Sequence, residues 1–305
     1  MIKLGYQTNG WWKLPLKQAI TDIADAGFEG IEIMSWHVSV IDQIRSVWGT
    51  IQQFLEELKV HKLSLTAIYW YGNKLYIPER HDDIIKEADL AAAFLAKCGC
   101  SIFNVDTMVR GPLKKDDKIG EEVIADEYLI PIADCLNRIG RVTLEYGVRT
   151  VVHQHLNAVI ENRAEINRLM ELTDSKYVWL CPDSAQLYLA GVDPVQLVQD
   201  FANRIGFVHL KDGNNENWKM SPREWIHGTE WPIMESPEHQ FIWERERHFV
   251  DLGMGQVDLR GFLRALHRAG YDGWIVVEDD GTLDPRKAAF DNHTYIKKME
   301  REVWV

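Results

Sequence analysis

Eight short β-rich runs, each followed by a longer amphipathic stretch, predict a single (β/α)8 TIM barrel over residues 1–305. In chain order the strands read over 2–6, 30–34, 63–70, 101–106, 149–155, 177–183, 206–211 and 273–278, and the helical patterns over 16–26, 50–61, 81–98, 121–146, 161–173, 193–203, 257–269 and 284–301. Two further observations support this count. Runs such as Arg149-Thr150-Val151-Val152 and Trp274-Ile275-Val276-Val277 are nearly all apolar, which suits parallel strands covered on both faces. Glycines 27, 99, 147 and 270 stand where a helix C-terminus needs a left-handed residue before the next strand. A doubly wound sheet would place a phosphate-binding turn after its first strand, and Gly5-Tyr6-Gln7-Thr8-Asn9-Gly10 does not fit that pattern.

One segment breaks the rhythm. Residues 213–249 separate the seventh strand from its helix, far more than the usual two to six residues. They hold Trp218, Trp225, Trp231 and Trp243 together with Pro222, Pro232 and Pro237. Four tryptophans argue against disorder, so the stretch is expected to be an ordered lid or a partner-facing insertion within the one domain.

Composition narrows the function. With 34 Lys and Arg against 46 Asp and Glu, the formal charge is −12, which opposes phosphate-neutralising nucleic-acid binding and attraction to an anionic membrane surface. Apolar residues at 46% and charged residues at 26% match a globular protein with a large core. Cys98, Cys100, Cys135 and Cys181 contain no C-x-x-C pair and read as reduced thiols, and the N-terminus has no secretory apolar region; a cytoplasmic location is expected. Gly253-Met254-Gly255 lacks the remainder of a phosphate loop and reads as a tight turn.

In such a barrel the chemistry sits at the C-terminal ends of the strands. Strand five ends in His153-Gln154-His155 and leads to Glu161, strand six ends in Asp183, strand seven in His209-Leu210-Lys211-Asp212, and strand eight in Glu278-Asp279-Asp280. Each has a plain structural alternative, since a strand-end Asp can cap the next helix and a lone His can be a satisfied core residue. Jointly, four such ends on consecutive strands would be costly to bury without a cation or partner. A Glu, Asp, His, Glu set is oxygen-rich with one nitrogen and suits Mn2+ first, with Co2+ or Mg2+ as alternatives.

The H-x-H strand end with a downstream Glu, the Asp183 strand end near Leu189-Ala190-Gly191, Val208-His209-Leu210-Lys211-Asp212 and Gly270-Tyr271-Asp272-Gly273-Trp274 through Asp280 resemble the xylose-isomerase-like sugar isomerase and epimerase superfamily, and within it the inosose dehydratases. The resemblance implies metal ligation by Glu161, Asp183, His209 and Glu278, with His155 or Gln154 as alternatives to Glu161. It also implies that Lys211 and one of His153 or His155 face the substrate. The chain departs from the pattern at Gln186, where relatives tend to have His, and at Leu156-Asn157-Ala158 after the H-x-H. Trp70, Gln186 and Asp280 are expected to line the substrate side, as are Trp11 and Trp12 unless they pack the first helix.

A cation at the mouth can hold a carbonyl oxygen and its neighbouring hydroxyl and stabilise the enediolate formed when the adjacent carbon loses a proton. Epimerisation, isomerisation and elimination all follow from that intermediate. His153 or His155 would act as base and Lys211 would steady the oxyanion. With only isolated basic groups in the strand-end loops, a neutral keto sugar or cyclitol fits better than a sugar phosphate. Two other readings remain. One is a C-glycoside deglycosidase catalytic subunit acting on a 3-keto glycoside with a small partner subunit docked through 213–249, a surface that would equally serve a homo-oligomer. The other is a catalytically silent sugar-binding barrel.

Overall fold

The computed structural model describes residues 3–34, 39–71, 75–107, 124–156, 158–214, 249–280 and 282–303. The eight expected strands are present: β1 (Lys3–Gln7), β2 (Gly30–Met34), β3 (Ser64–Tyr71), β4 (Ile102–Asp106), β5 (Arg149–His153), β6 (Val178–Cys181), β7 (Val208–Leu210) and β8 (Trp274–Val277). All pair in parallel, in the order β6-β5-β4-β3-β2-β1-β8-β7. The parallel bridges Leu180 to Ile205 and Asp183 to His209 bring the two ends of that order together, so the sheet closes into a TIM barrel.

The outer layer comprises α1 (Leu16–Ala26), α2 (Val40–Trp48), α3 (Ile51–Val60), α4 (His81–Lys97), α5 (Asp126–Glu145), α6 (Arg163–Leu172), α7 (Ser184–Leu189), α8 (Pro194–Asp200), α9 (Leu259–Arg268) and α10 (Pro285–Val303). Glycines 27, 99, 147 and 270 all have positive φ, as their places after helices require. Two helices were not legible in the sequence. α2 buries only Val40, Ile44 and Trp48, a single stripe at every fourth residue, and starts at a Ser39 side-chain cap. α7 has six residues and begins directly at the end of strand six, so its first turn reads as a continuation of the strand.

Packing inside the barrel follows the two-residue period of the strands. Ala67, Ile102, Val151, Cys181, Phe207 and Val276 form an apolar cluster of their own, distinct from the large core between strands and helices. Two residues further along each chain, on the same inward face, stand Tyr69, Asn104, His153, Asp183, His209 and Glu278. An apolar interior layer thus gives way to a polar one as the strands approach their C-terminal ends.

The four tryptophans expected in the 213–249 insertion lie outside the described residues. Its two ends do not: Asp212–Gly213 pairs antiparallel with Phe249–Val250. The Asp212 carboxylate accepts backbone N–H groups from Gly213, Gly253, Gly255 and Val257 at 2.8–3.2 Å. The Gly253 and Gly255 amides therefore serve an internal carboxylate, in keeping with a tight turn.

Gly140, inside α5, approaches the adjoining chain closely enough that a Cβ would lie 2.2 Å from the Tyr177 carbonyl oxygen. An interior helix Gly→Ala change ordinarily stabilises by about 1 kcal/mol. Here Gly140→Ala should instead lower stability by about 1–3 kcal/mol, read as a lower midpoint in chemical denaturation; a stabilised variant would show that the contact is soft.

Candidate metal centre

The polar layer at the C-terminal mouth brings together His153, Asp183, His209 and Glu278, each offering one ligand atom within 4.8 Å of the others. His153 Nε2 lies 3.6 Å from Asp183 Oδ2 and 3.9 Å from Glu278 Oε2. His209 Nδ1 lies 3.9 Å from Asp183 Oδ2 and 2.6 Å from Glu278 Oε2. Ligands about 2.0–2.1 Å from a tetrahedral ion stand roughly 3.3–3.4 Å apart, so the three separations of 3.6–3.9 Å are near those of a cation-sized gap, whereas His209 Nδ1 and Glu278 Oε2 stand at hydrogen-bond distance and would move apart around an ion.

All four atoms are buried; His153 Nε2 and Asp183 Oδ2 have no hydrogen-bond partner, while His209 Nδ1 and Glu278 Oε2 have only each other, at 2.6 Å. Buried polar atoms are normally satisfied, and four donor atoms from four strand ends converging on one point, two of them without a partner, fit a divalent cation.

Each donor is aimed by its local structure. Asp183 does both things its position allowed: Oδ1 caps α7 by accepting from Ala185 and Gln186 N–H at 2.9 and 2.8 Å, while Oδ2 turns to the centre. Glu278 accepts the Lys211 Nζ bond on Oε1 at 2.9 Å and keeps Oε2 for the centre. Gln154 is spent on the Asp183 backbone, donating to its oxygen at 3.4 Å and accepting from its nitrogen at 3.1 Å, and so ties strand five to strand six.

Several expectations change here. Glu161 is buried but does not join the four donors; it lies eight residues past the end of β5, its backbone N–H donates to Glu165 Oε2 at 2.9 Å, and it leads into the Asn162 cap of α6. His153, expected to face substrate as a base, takes the strand-five position because it is the last inward residue of β5. Of the alternatives to Glu161, neither Gln154 nor His155 is among the four. The donor set is consequently two imidazoles and two carboxylates, with one nitrogen more than the sequence suggested.

The expected substrate-side residues divide. Trp11 is a core residue, with its ring edge-on to Tyr6 and its indole N–H donated to Asp22 Oδ2 at 2.9 Å. Trp70 occupies an outward position of β3 and packs on Phe103 in the layer between strands and helices; by the period of two, Tyr69 and Tyr71 take the inward places. Trp12 is 41% exposed, beside Lys13. Gln186 is buried, accepting the Leu156 N–H on Oε1 at 3.1 Å, with Nε2 lacking a hydrogen-bond partner. Asp280 is bound by Lys211 and by the Asn9 side-chain amide. Half-buried His155 donates its Nδ1–H to its neighbour Leu156 O, 2.6 Å away.

Five residues escaped the sequence reading: Asn9, Glu32, Tyr69, Asn104 and Asp106, all buried. Counting back by twos from the strand ends would have found four of them, since a Glu in the middle of Gly30-Ile31-Glu32-Ile33-Met34 has no place in an apolar strand unless it points inward.

Burial by itself disfavours charge on Lys211 and His209, yet the carboxylates around them prevail. Asp280, Glu278 and Asp183 hold the Lys211 ammonium above its usual range, and Glu32 and Glu278 raise His209 to about 10. Glu278 is driven well below the ordinary carboxylate range; burial opposes this, but Lys211 and His209 outweigh it.

The fold and these donors define a TIM barrel with a candidate divalent-cation centre at its C-terminal mouth. The chain belongs to the xylose isomerase-like TIM barrel family, which matches residues 20–299. It is similar to the inosose dehydratase of Clostridium beijerinckii, 25% identical over 315 residues covering 97% of each chain. Among solved structures it resembles the probable 3-DHS dehydratase AsbF of Bacillus anthracis, with TM-score 0.76 and 14% identity over 97% of this chain and 99% of that one. It also resembles the IOLI protein with a bound zinc atom, with TM-score 0.67 and 17% identity over 99% and 98% of the two chains.

At neutral pH the metal-free His209 is an imidazolium, so a cation taken at Nδ1 must expel a proton. Apparent Zn2+ affinity should rise about tenfold per pH unit between pH 7 and 8.5, and calorimetry in buffers of different ionisation enthalpy should read the release of about one proton. Affinity flat across that range would contradict the assignment. Because its pKa is raised, the imidazolium stabilises the metal-free fold in full below about pH 6.5, a contribution lost as pH rises through about 10.

Proposed function

We propose that this chain is a divalent-metal-dependent enzyme that removes a proton beside the carbonyl of a neutral keto sugar or cyclitol. Loss of water is the favoured outcome, because the chain is similar to curated inosose dehydratases. The observation that carries the reading is the set of four buried donor atoms converging from the ends of β5–β8, two of them without a hydrogen-bond partner. When bound there, a divalent cation supplies Lewis-acid stabilisation of negative charge on substrate oxygens. Two imidazoles among four donors favour a first-row transition ion, with Zn2+ and Co2+ joining Mn2+ ahead of Mg2+.

The remaining groups divide the proton work. Lys211, kept charged by Asp280 and Glu278, suits donation to a developing oxyanion or a departing hydroxyl and is poorly suited to accept a proton. His155 has Nδ1 engaged by the Leu156 carbonyl, which makes Nδ1 the donor and leaves Nε2 as the basic nitrogen at the rim. Buried Gln186 Nε2 offers its N–H groups to a substrate hydroxyl.

A neutral ligand follows from the charge of the site. Among the described residues, Glu32, Asp106, Asp183, Glu278 and Asp280 are buried in and around the mouth, and the one lysine with them is already paired with two carboxylates. A phosphate would meet that negative field without a free cationic clamp.

The test is metal analysis of protein purified without added metal, followed by incubation with inososes and ketohexoses in deuterated solvent. Stoichiometric metal, deuterium uptake beside the carbonyl and a mass loss of one water are expected; absence of both metal and exchange would sink the proposal. Glu278→Gln should remove metal binding and exchange together while the circular dichroism spectrum stays native, and full activity in that variant would exclude Glu278 from the site.

A further inference from the structure

Behind the four donors lies a second tier of buried groups that touches none of the ligand atoms. We propose that Glu32 and the Tyr69–Asp106 pair are positioning residues that fix which nitrogen each histidine presents to the cation: Glu32 holds His209 by Nε2, and Tyr69, anchored by Asp106, holds His153 by Nδ1. This rests on the metal reading above and adds the device that orients its two imidazoles.

Each nitrogen of His209 faces a carboxylate: Glu32 Oε2 is 2.7 Å from Nε2 and Glu278 Oε2 is 2.6 Å from Nδ1. Two acceptors cannot sit that close, so Nε2 carries a hydrogen and donates to Glu32. Glu278 is itself one of the four donors whereas Glu32 lies behind the ring, so Nδ1 is the nitrogen that faces the centre. Glu32 cannot swing away: Oε2 also accepts the Gln7 amide at 3.0 Å and Oε1 accepts the Asn104 amide at 2.9 Å, with the whole side chain shut off from solvent.

On the other histidine, the Tyr69 hydroxyl lies 2.6 Å from Asp106 Oδ2 and 3.1 Å from His153 Nδ1. The carboxylate can only accept, so the hydroxyl hydrogen goes to Asp106 and the Tyr69 oxygen receives the hydrogen of Nδ1. Nε2 of His153 is thereby left as the lone-pair nitrogen, the same atom that lacks a partner and faces Asp183 and Glu278. The Tyr69 ring also stacks at 6.1 Å over the His209 ring and meets the His153 ring edge-on at 5.3 Å, so one side chain packs against both imidazoles.

The two histidines present opposite nitrogens, Nδ1 from His209 and Nε2 from His153. A free imidazole favours neither choice strongly enough to guarantee this, and partners behind metal-bound imidazoles are known to set tautomer and ring orientation. A purely structural role for Glu32, as a cross-strand tie among β1, β2, β4 and β7, would leave the tautomers free.

Nitrogen-detected NMR of histidine-labelled wild-type protein loaded with Zn2+ separates these roles. The expected result is Nε2–H on His209 and Nδ1–H on His153; the reverse pattern on either ring overturns the inference for that ring. Glu32→Gln and Tyr69→Phe should each weaken Zn2+ binding by about 10–100-fold in chelator competition, with one equivalent still bound at saturation. Tyr69→Phe keeps both ring contacts and removes only the hydroxyl. Variants that bind within twofold of wild type overturn the inference alone, whereas a wild-type protein that takes up no Zn2+ overturns the metal reading and this inference with it.

Discussion

Glu32, Asp106, Asp183, Glu278 and Asp280 share a space closed to bulk water with one ammonium and two imidazoles, and the mouth of the barrel is arranged around that imbalance. Isolated buried carboxylates are too costly to persist without compensation. Lys211 answers two of them, Glu278 and Asp280, and its own burial would otherwise drive it neutral. His209 lies between Glu32 and Glu278 and takes a proton for the same reason. What remains is a pocket of converging donor atoms, with His153 Nε2 and Asp183 Oδ2 left without a hydrogen-bond partner and negative charge in excess, and a divalent cation is the simplest species that would offset part of that excess.

That constraint explains features otherwise unrelated. Asn9 reaches across from beyond β1 to Asp280 and Glu278, adding donors where carboxylates crowd. Gln7 and Asn104 do the same for Glu32. Phe249, at the return of the long excursion after β7, places its ring 3.8 Å from Lys211 Nζ, so the point where that segment rejoins the barrel also contacts the central ammonium. Lys211 therefore connects the proposed chemistry, the acidic cluster and the excursion.

Two side chains at the mouth bear on what it could hold. His153 stands among the four converging donors and Gln186 stands in the first turn of α7, close to the backbone of Leu156. Two imidazoles in a donor set would favour a first-row transition ion, and the Gln186 amide offers neutral hydrogen bonding.

The barrel itself was legible from the sequence because it depends on local, repeated signals: apolar runs, amphipathic stretches and a glycine at four of the helix-to-strand turns, which need no knowledge of distant contacts. Asp183, His209, Lys211 and Glu278 were legible for the same reason, as charged residues ending apolar strands. His153 stands in the cluster and Glu161 outside it because chain distance cannot show where β5 ends, and only the closed sheet does: β5 stops at His153 and the loop carries Glu161 away. Trp70 was misplaced because composition marks an aromatic as useful without saying which face of its strand it occupies, while Trp11 took the packing role against the first helix, one of its two expected places. Glu32, Tyr69, Asn104 and Asp106 went unseen because their role lies in contacts between strands up to 177 positions apart, such as Glu32 with His209. The order of strands and the period of two are written in the chain; which inward side chains meet is decided when the barrel closes and its interior must be made electrically tolerable.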